Sequence, residues 1–422
     1  MKKTLGLLML LSTTLFARQL TLDQAIDLSL ENSKEVQISS MATEKAKLNV
    51  STAFKNALPS VVYSGAYTRS EYDRSVTKDG RMVDAKGGYR QKITISQPIF
   101  QGGAIAGGIK YAKAYRNVAD LSFLGQKRDT RLETIQIYSN IIKNEKNLET
   151  LKSSRKELSA TYEKQKAQLE LRLITKSDLL KTEYNILELD SKIIQVNNLI
   201  TVDKERLKLK MGLPKSEKLD VVDFQVPKNL TATINFDSDL NQAMTKSIDA
   251  MIANYYVDMA DASRTVARAD MLPKVSAFGS YGVDTDRRKY NATMDDAEWR
   301  GGIQVTWNVF EFGKNYDNYK IADINRQQEE LKEKISQDNI DVRVTDAYLN
   351  LVKMEKERAS KERALEAAQE NFNIDKEKYA AGLISTIDYL ISETQLRDAK
   401  VQYNQVTVDY LYAFEKYRSM LI

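Results

Sequence analysis

The chain has 422 residues, 29% of them charged and 42% hydrophobic, with 63 basic and 58 acidic side chains and a formal net charge of +5. This composition excludes a disordered chain and a polytopic helical membrane protein, and the near balance of charge gives no sign of nucleic-acid binding. Cysteine and histidine are both absent, which excludes disulfides, acylation at cysteine and histidine-based catalysis. We therefore expect no cofactor, no bound metal and no nucleic-acid partner.

Residues 1–17 are predicted to be a signal peptide. Two lysines precede an apolar stretch, Leu5–Leu11, which is too short to span a bilayer, and residues 15–17 offer a cleavage site. A buried N-terminal helix is the alternative. Because no later segment has about 18 consecutive apolar residues, we expect an exported chain in which strands make any membrane crossing.

The placement of proline and glycine predicts unusually long helices. Glycine is absent from 126 to 211, and the only glycine after Gly313 is Gly382. Apolar residues recur at helical spacing in these segments, as in a coiled coil. Helices are predicted over residues 21–57, 104–171, 176–211, 238–271, 314–381 and 386–420. The longest would measure about 100 Å at 1.5 Å per residue, a length typical of a fibrous or tubular assembly.

The chain also contains an internal duplication. Three pairs of segments resemble one another: 57–61 and 271–275, 97–102 and 307–313, and 173–180 and 383–390. Because the paired segments lie about half the chain apart, they indicate a duplicated domain rather than a short solenoid repeat. We predict a first structural repeat over 18–213, a linker over 214–237 and a second structural repeat over 238–422.

Four segments alternate with a period of two, the pattern of β-strands. They cover residues 61–68, 92–96, 275–281 and 299–309. In the last of them the odd positions are mostly apolar and the even positions polar or glycine, as in the strands of a membrane barrel. Trp299 and Trp307 would lie about 26 Å apart along a strand and are predicted to contact lipid at the two membrane girdles. Two soluble hairpins packed on a core are the alternative.

Four strands cannot close a barrel, because an open edge in lipid leaves backbone groups unpaired at several kcal/mol each. The barrel would therefore combine several chains. Since eight-stranded barrels are filled by their own side chains, a conduit favours three or more chains. The polar segments 70–88 and 284–298 are predicted to be outer loops.

The order of these motifs resembles the TolC-type outer-membrane efflux family over essentially the whole mature chain. The motifs are Leu-Pro at 58–59 and 272–273, the strand exits at 100–102 and 310–313, Gly-Leu-Pro at 212–214 and Tyr-Ala-Ala-Gly-Leu at 379–383. The resemblance implies a mainly α fold of duplicated long helical hairpins that form a periplasmic tunnel. It also implies a homotrimer whose four strands per chain build a twelve-stranded barrel in the outer membrane of a Gram-negative bacterium.

In function, the resemblance implies a passive exit duct of a tripartite efflux or type I secretion system, with a periplasmic gate. Its partners would be a periplasmic adaptor and an inner-membrane transporter, and the linker 214–237 would belong to an equatorial collar. The alternative is a periplasmic adaptor or a soluble coiled-coil scaffold. An enzyme is not expected, because catalytic carboxylates need a shared cleft and the acidic residues here are scattered over helical faces.

The resemblance also assigns candidate sites at the helix turns. The residues expected to contact the adaptor are Arg172, Leu173, Ile174, Thr175, Gly382, Leu383, Ile384 and Ser385. Arg172 stands where the family pattern has glycine, so a left-handed backbone would be costlier there than at Gly382.

The predicted gate consists of an acidic ring of Asp388 and a hydrogen bond between Tyr379 and Asp178. Ile384 and Ile391 replace an arginine and a second acid of the family pattern, so the gate should carry less charge. The alternative role of both aspartates is helix capping, because Thr175-x-x-Asp178 and Ser385-x-x-Asp388 fit capping boxes.

Overall fold

The computed structural model describes residues 18–69, 74–76, 82–84, 87–284 and 297–422. The predicted signal peptide, residues 1–17, and most of the predicted outer loops, 70–88 and 284–298, lie outside the described residues. The described part of the chain is mainly helical, as predicted, with a smaller contribution from strands.

The long segments without proline form helices, and glycine is absent from all of them except the first third of α3. Their bounds are Ala104–Glu170 for α3, Lys176–Lys210 for α4, Lys314–Ala380 for α7 and Thr386–Ser419 for α8. Each begins at the predicted residue, and α3 and α7 contain 67 residues each. We refer to α3 with α4 as hairpin one and to α7 with α8 as hairpin two.

The prediction of single helices over 21–57 and 238–271 was wrong. Each is two helices: α1 Leu22–Asn32 and α2 Lys34–Lys55 in the first half, and α5 Phe236–Lys246 and α6 Ile248–Ala269 in the second. The breaks fall at Ser33 and Ser247, whose ψ angles of 129° and 152° are extended. Serine favours such breaks because its hydroxyl competes for local hydrogen bonds, and Ser33 Oγ donates to Glu35 at 2.6 Å.

The four predicted strands form one antiparallel sheet. They are β2 Ser60–Arg69, β5 Gly87–Gln101, β7 Lys274–Asp284 and β8 Glu298–Thr306. Their order in the sheet is β2-β5-β7-β8. The last strand is shorter than predicted, because it ends before Trp307. The indole Nε1 of Trp307 donates to the carbonyl of Met271 at 3.1 Å, so its side chain bonds to the backbone of the preceding helix-to-strand junction.

The register of the sheet separates an apolar face from a polar one, as the period of two predicted. Tyr63 pairs with Ile93, Ile93 with Tyr281, and Tyr281 with Trp299. The next row along the strands is polar or small: Ser64, Lys92, Gly282 and Glu298. Adjacent rows point to opposite faces. Trp299 is 79% exposed and Tyr63 66%, so the described residues leave the apolar face of the sheet uncovered.

Several short elements were not predicted. Strand β1, Arg18–Leu20, pairs in parallel with β6, Leu219–Val221, and β3, Arg74–Val76, pairs with β4, Met82–Asp84. A 3₁₀ helix covers Leu230–Thr233. Strands of three residues are too short to show a period.

The chain divides into two compact units. The first contains the described residues of 1–40, 123–248 and 338–422, and the second those of 41–122 and 249–337. The sheet belongs to the second unit, and the turns of both helical hairpins belong to the first. No helix in the described part of the chain is both long and apolar enough to cross a membrane.

Candidate gate and helix-turn site

The two turns that end the long helices share one backbone design. Arg172 has a φ of 59° and Gly382 a φ of 72°. The next residue in each turn, Leu173 or Leu383, donates its N–H to the carbonyl five residues earlier, at 2.9 and 2.8 Å. This is the bond of a Schellman motif, which requires the left-handed residue. Arg172 therefore adopts the left-handed conformation, at a cost of about 1–2 kcal/mol.

Both predicted capping boxes are present at the starts of α4 and α8. Thr175 Oγ1 accepts from the Asp178 N–H at 3.2 Å, and the Thr175 N–H donates to the Asp178 carboxylate at 3.3 Å. Ser385 and Asp388 exchange the same two bonds, each at 3.3 Å. The hydrogen bonds from Thr175 lower the pKa of Asp178 below its usual value. Both aspartates are thus helix caps.

The structure does not bring Tyr379 and Asp178 together. The Tyr379 hydroxyl accepts from Gln165 Nε2 at 2.7 Å and lies 3.4 Å from Thr386 Oγ1. The Asp178 carboxylate contacts Thr175 and lies 3.7 Å from Lys181 Nζ. Among the described residues no hydrogen bond joins the predicted pair, because each partner is engaged elsewhere.

A different set of polar residues connects the two helical hairpins. Tyr389 is 1% exposed, and its hydroxyl donates to Glu157 Oε1 at 3.3 Å and lies 3.3 Å from Thr161 Oγ1. Glu157 also accepts from Lys376 Nζ at 2.7 Å. We call this set the hairpin bridge, and it consists of Glu157, Thr161, Gln165, Lys376, Tyr379, Thr386 and Tyr389. It joins α3 of hairpin one to α7 and α8 of hairpin two.

The hairpin bridge lies within apolar surroundings. The rings of Tyr379 and Tyr389 stack with centroids 4.6 Å apart and an interplanar angle of 14°. The buried apolar residues of the same cluster are Leu151, Leu158, Leu189, Phe372, Leu390 and Leu396. Burial raises the pKa of the Tyr389 hydroxyl, which keeps it protonated and able to donate. Because polar groups buried this way are costly to leave unpaired, the bridge favours one arrangement of the hairpins.

Sequence reasoning missed the bridge, although a signal for it exists. Leu151, Leu158 and Gln165 are spaced by seven residues, so Gln165 continues an apolar heptad position. A polar residue in such a position specifies which helices pair, at some cost in stability. Gln165 is fully buried, and its Oε1 has no hydrogen-bond partner among the described residues.

The residues predicted to contact an adaptor are largely exposed. Leu173 and Leu383 are 68% and 75% exposed, whereas Ile174 and Ile384 are half-buried. Of the predicted gate residues, Asp388 is exposed and Tyr379 is half-buried. The two turns therefore present leucines to solvent at matching positions.

Comparisons with known proteins agree over most of the chain. The family described as outer membrane efflux protein matches residues 25–213 and 240–421. The chain is 25% identical over 179 residues to the probable outer membrane lipoprotein SilC of Salmonella typhimurium. This match covers 42% of the chain and spans only 36% of the length of that relative.

Solved structures show the same fold. The CmeC outer membrane channel of Campylobacter jejuni matches with a TM-score of 0.83 at 16% identity, covering 95% of this chain and 85% of that one. VceC of Vibrio cholerae matches with a TM-score of 0.81 at 12% identity, covering 94% and 95%. The open state of the MtrE channel of Neisseria gonorrhoeae matches with a TM-score of 0.71 at 15% identity, covering 95% and 88%.

Proposed function

Because the chain belongs to the outer membrane efflux protein family, we propose that it is the outer-membrane exit duct of a tripartite efflux or type I secretion system. The family and the outer-membrane location predicted from the sequence are confirmed. The family and the fold are those of channel proteins. In the proposed role the chain is a passive channel with a periplasmic gate, and it works with a periplasmic adaptor and an inner-membrane transporter.

The observation that carries this proposal is the apolar row across the four-stranded sheet. Tyr63, Ile93, Tyr281 and Trp299 share one face, and the sheet has β2 and β8 as its outer strands. Strands of this length fit the hydrocarbon core of a bilayer. Three copies joined at their outer strands would close a barrel of twelve strands, with the apolar rows facing lipid and the polar rows facing the lumen.

Exposed apolar residues on the helices support assembly from several copies. Helix α4 carries such a stripe along its length: Leu180, Tyr184, Leu187, Ile194, Leu199, Val202 and Leu209, each at least 46% exposed. Leu180, Leu187 and Ile194 are seven residues apart, the spacing of a coiled-coil seam. Monomeric proteins rarely expose apolar surface of this extent, so we assign the stripe to packing against a neighbouring copy within a homotrimeric tunnel.

Within this tunnel the two sequence repeats, 18–213 and 238–422, would supply equivalent hairpins, and the linker 214–237 would form a collar. We propose that the hairpin bridge holds the closed arrangement of the turns. Three copies of Asp388 would narrow the pore near the turns while still capping α8. The exposed leucines of the two turns would meet the adaptor.

Crosslinking of detergent-extracted protein tests the assembly. The expected result is a ladder that ends at three subunits, from protein that fractionates with the outer membrane. A stable monomer with a native β-sheet signal, or protein that stays soluble in the periplasm, would contradict the proposal. Ion conductance of the reconstituted trimer in planar bilayers tests the channel itself.

A further inference from the structure

The two helix turns carry different charge. Hairpin one has five basic and two acidic residues between 164 and 181, and hairpin two has two basic and three acidic residues between 374 and 391, the matching positions. The difference is sharpest in the turns themselves. Residues 171–177 include Arg172 and Lys176, whereas residues 381–387 include no charged residue.

The extra cations of hairpin one are exposed. Lys164, Lys166, Arg172 and Lys176 are exposed and form no ion pair among the described residues. At the matching positions hairpin two has isoleucine, lysine, glycine and threonine, and that lysine, Lys376, pairs with Glu157 of the hairpin bridge. The turn of hairpin one, residues 171–177, thus has two cations that form no ion pair among the described residues, whereas the turn of hairpin two, residues 381–387, has none and the exposed Lys378 lies before it.

Arg172 has a backbone conformation that is unfavourable for a residue with a side chain. Its φ of 59° lies in the left-handed region, where glycine would be unstrained. The leucines on either side, Leu171 and Leu173, are 71% and 68% exposed. A guanidinium between two exposed leucines forms a mixed surface, able to contact apolar groups and to bind carboxylates.

We propose that the turn of hairpin one docks a polypeptide segment whose carboxylates flank an apolar side chain, whereas the turn of hairpin two docks an uncharged segment. This inference rests on the proposed function, because the docking partner would be the adaptor. It makes the two hairpins distinct sites rather than equivalent ones. A protein partner is favoured over a lipid surface because Arg172 lies between two exposed leucines, Leu171 and Leu173, a pattern that a peptide with an apolar side chain between carboxylates complements.

The absence of cysteine allows each turn to be tested separately in the full-length channel. Ser177→Cys labels hairpin one with a fluorophore, and Ile387→Cys labels hairpin two at the matching exposed position. The probes are three synthetic helical-hairpin peptides that differ only in the turn, which reads Glu-Leu-Glu, Gln-Leu-Gln or Lys-Leu-Lys. Binding is measured by fluorescence titration at low and at high salt.

The glutamate probe should bind hairpin one roughly three- to tenfold more tightly than the glutamine probe, since exposed charge pairs contribute little each. This preference should disappear at high salt, and hairpin two should show none. Arg172→Gly should reduce the preference roughly two- to threefold without harm to folding, because glycine suits this φ. Gly382→Arg should create a preference at hairpin two, where a side chain would meet open space.

Equal binding of all three peptides at hairpin one would overturn the proposal. Binding to vesicles of anionic phosphatidylglycerol in place of the glutamate peptide would overturn it as well, in favour of a lipid surface. Conductance of the same preparations separates this inference from the proposed function. A channel that conducts but shows no peptide preference would contradict only the docking inference. A protein that does not conduct would contradict the proposed function as a duct.

Discussion

The two sequence repeats are similar at equivalent positions of the sheet but differ at equivalent positions of the hairpin bridge. In the sheet the two halves remain alike: Val61 and Val275, and Tyr67 and Tyr281, occupy equivalent positions in β2 and β7. In the hairpin bridge they differ. Tyr379 and Tyr389 of hairpin two correspond to Leu169 and Leu179 of hairpin one. Glu157 and Gln165 of hairpin one correspond to Ala367 and Asp375 of hairpin two. The two repeats thus have the same residue types where both supply equivalent strands to the sheet. They have different residue types where contacts between the hairpins select one arrangement.

The largest effect that tests this comparison is expected in the sheet. Val305→Arg places a charge on the face that carries the apolar row, and we expect a loss of about 2–4 kcal/mol of barrel stability. Gln304→Arg, the adjacent residue on the opposite face, is the matched control and should be tolerated. The thermal stability of the detergent-solubilised trimer measures both. Equal damage from the two substitutions would contradict the assignment of lipid and lumen faces.

A smaller effect is expected in the hairpin bridge. Gln165→Leu removes the donor to the Tyr379 hydroxyl and leaves that hydroxyl partly buried without this bond, at a cost of about 1–3 kcal/mol. If the bridge holds the closed arrangement, single-channel recording should show a roughly tenfold rise in the open fraction, which corresponds to about 1.4 kcal/mol. Gln168→Leu, an exposed position three residues away, is the control. An unchanged open fraction would limit the bridge to a structural role.

The sequence predicted the long helices, the four strands and both capping boxes, because each depends on local composition or a short period. Gly382 indicates a turn and Ser385-x-x-Asp388 indicates a helix cap, and both can be recognised from the local sequence alone. The hairpin bridge depends instead on contacts between residues more than 200 positions apart, such as Gln165 with Tyr379. Within one chain, capping engages Asp178 locally and Gln165 engages Tyr379, so the predicted bond between Tyr379 and Asp178 remains a prediction for the assembled duct.

A third prediction concerns the pore at Asp388. Three carboxylates around one axis would attract cations and repel one another. Asp388→Asn keeps an oxygen for the Ser385 N–H but removes the charge, so cation preference and block by divalent cations should fall severalfold. Asp178→Asn makes the same change in hairpin one and serves as the control. Cation selectivity that is unchanged in Asp388→Asn would show that Asp388 is a cap only.

The smallest effect is expected at the cap of α4, where the change in folding stability on substitution of Asp178 shows whether this residue acts as a cap or in the gate. The pKa of Asp178 is lowered by hydrogen bonds from Thr175, so the ionised carboxylate stabilises the folded chain. This contribution is fully present above the ordinary pKa of aspartate and is lost as the pH falls through the lowered value. Because solvent screens this partly exposed carboxylate, Asp178→Asn should cost under about 1 kcal/mol at pH 7, and the difference from the wild type should vanish in strong acid.

Denaturant unfolding of the full chain at both pH values measures the difference, and Thr175→Ala shows whether it arises from the cap. Both substitutions weaken the same interaction, the 2.6 Å hydrogen bond from Thr175 Oγ1 to the Asp178 carboxylate, so their costs should be less than additive in the double variant. Additive costs would mean that Asp178 acts through a second partner, and Lys181, whose Nζ lies 3.7 Å from the carboxylate, is the candidate within its own chain. Costs that remain additive in a Lys181→Ala background would place the partner on a neighbouring copy of the assembled duct, and Asp178 would then regain the gating role that its cap alone does not give it.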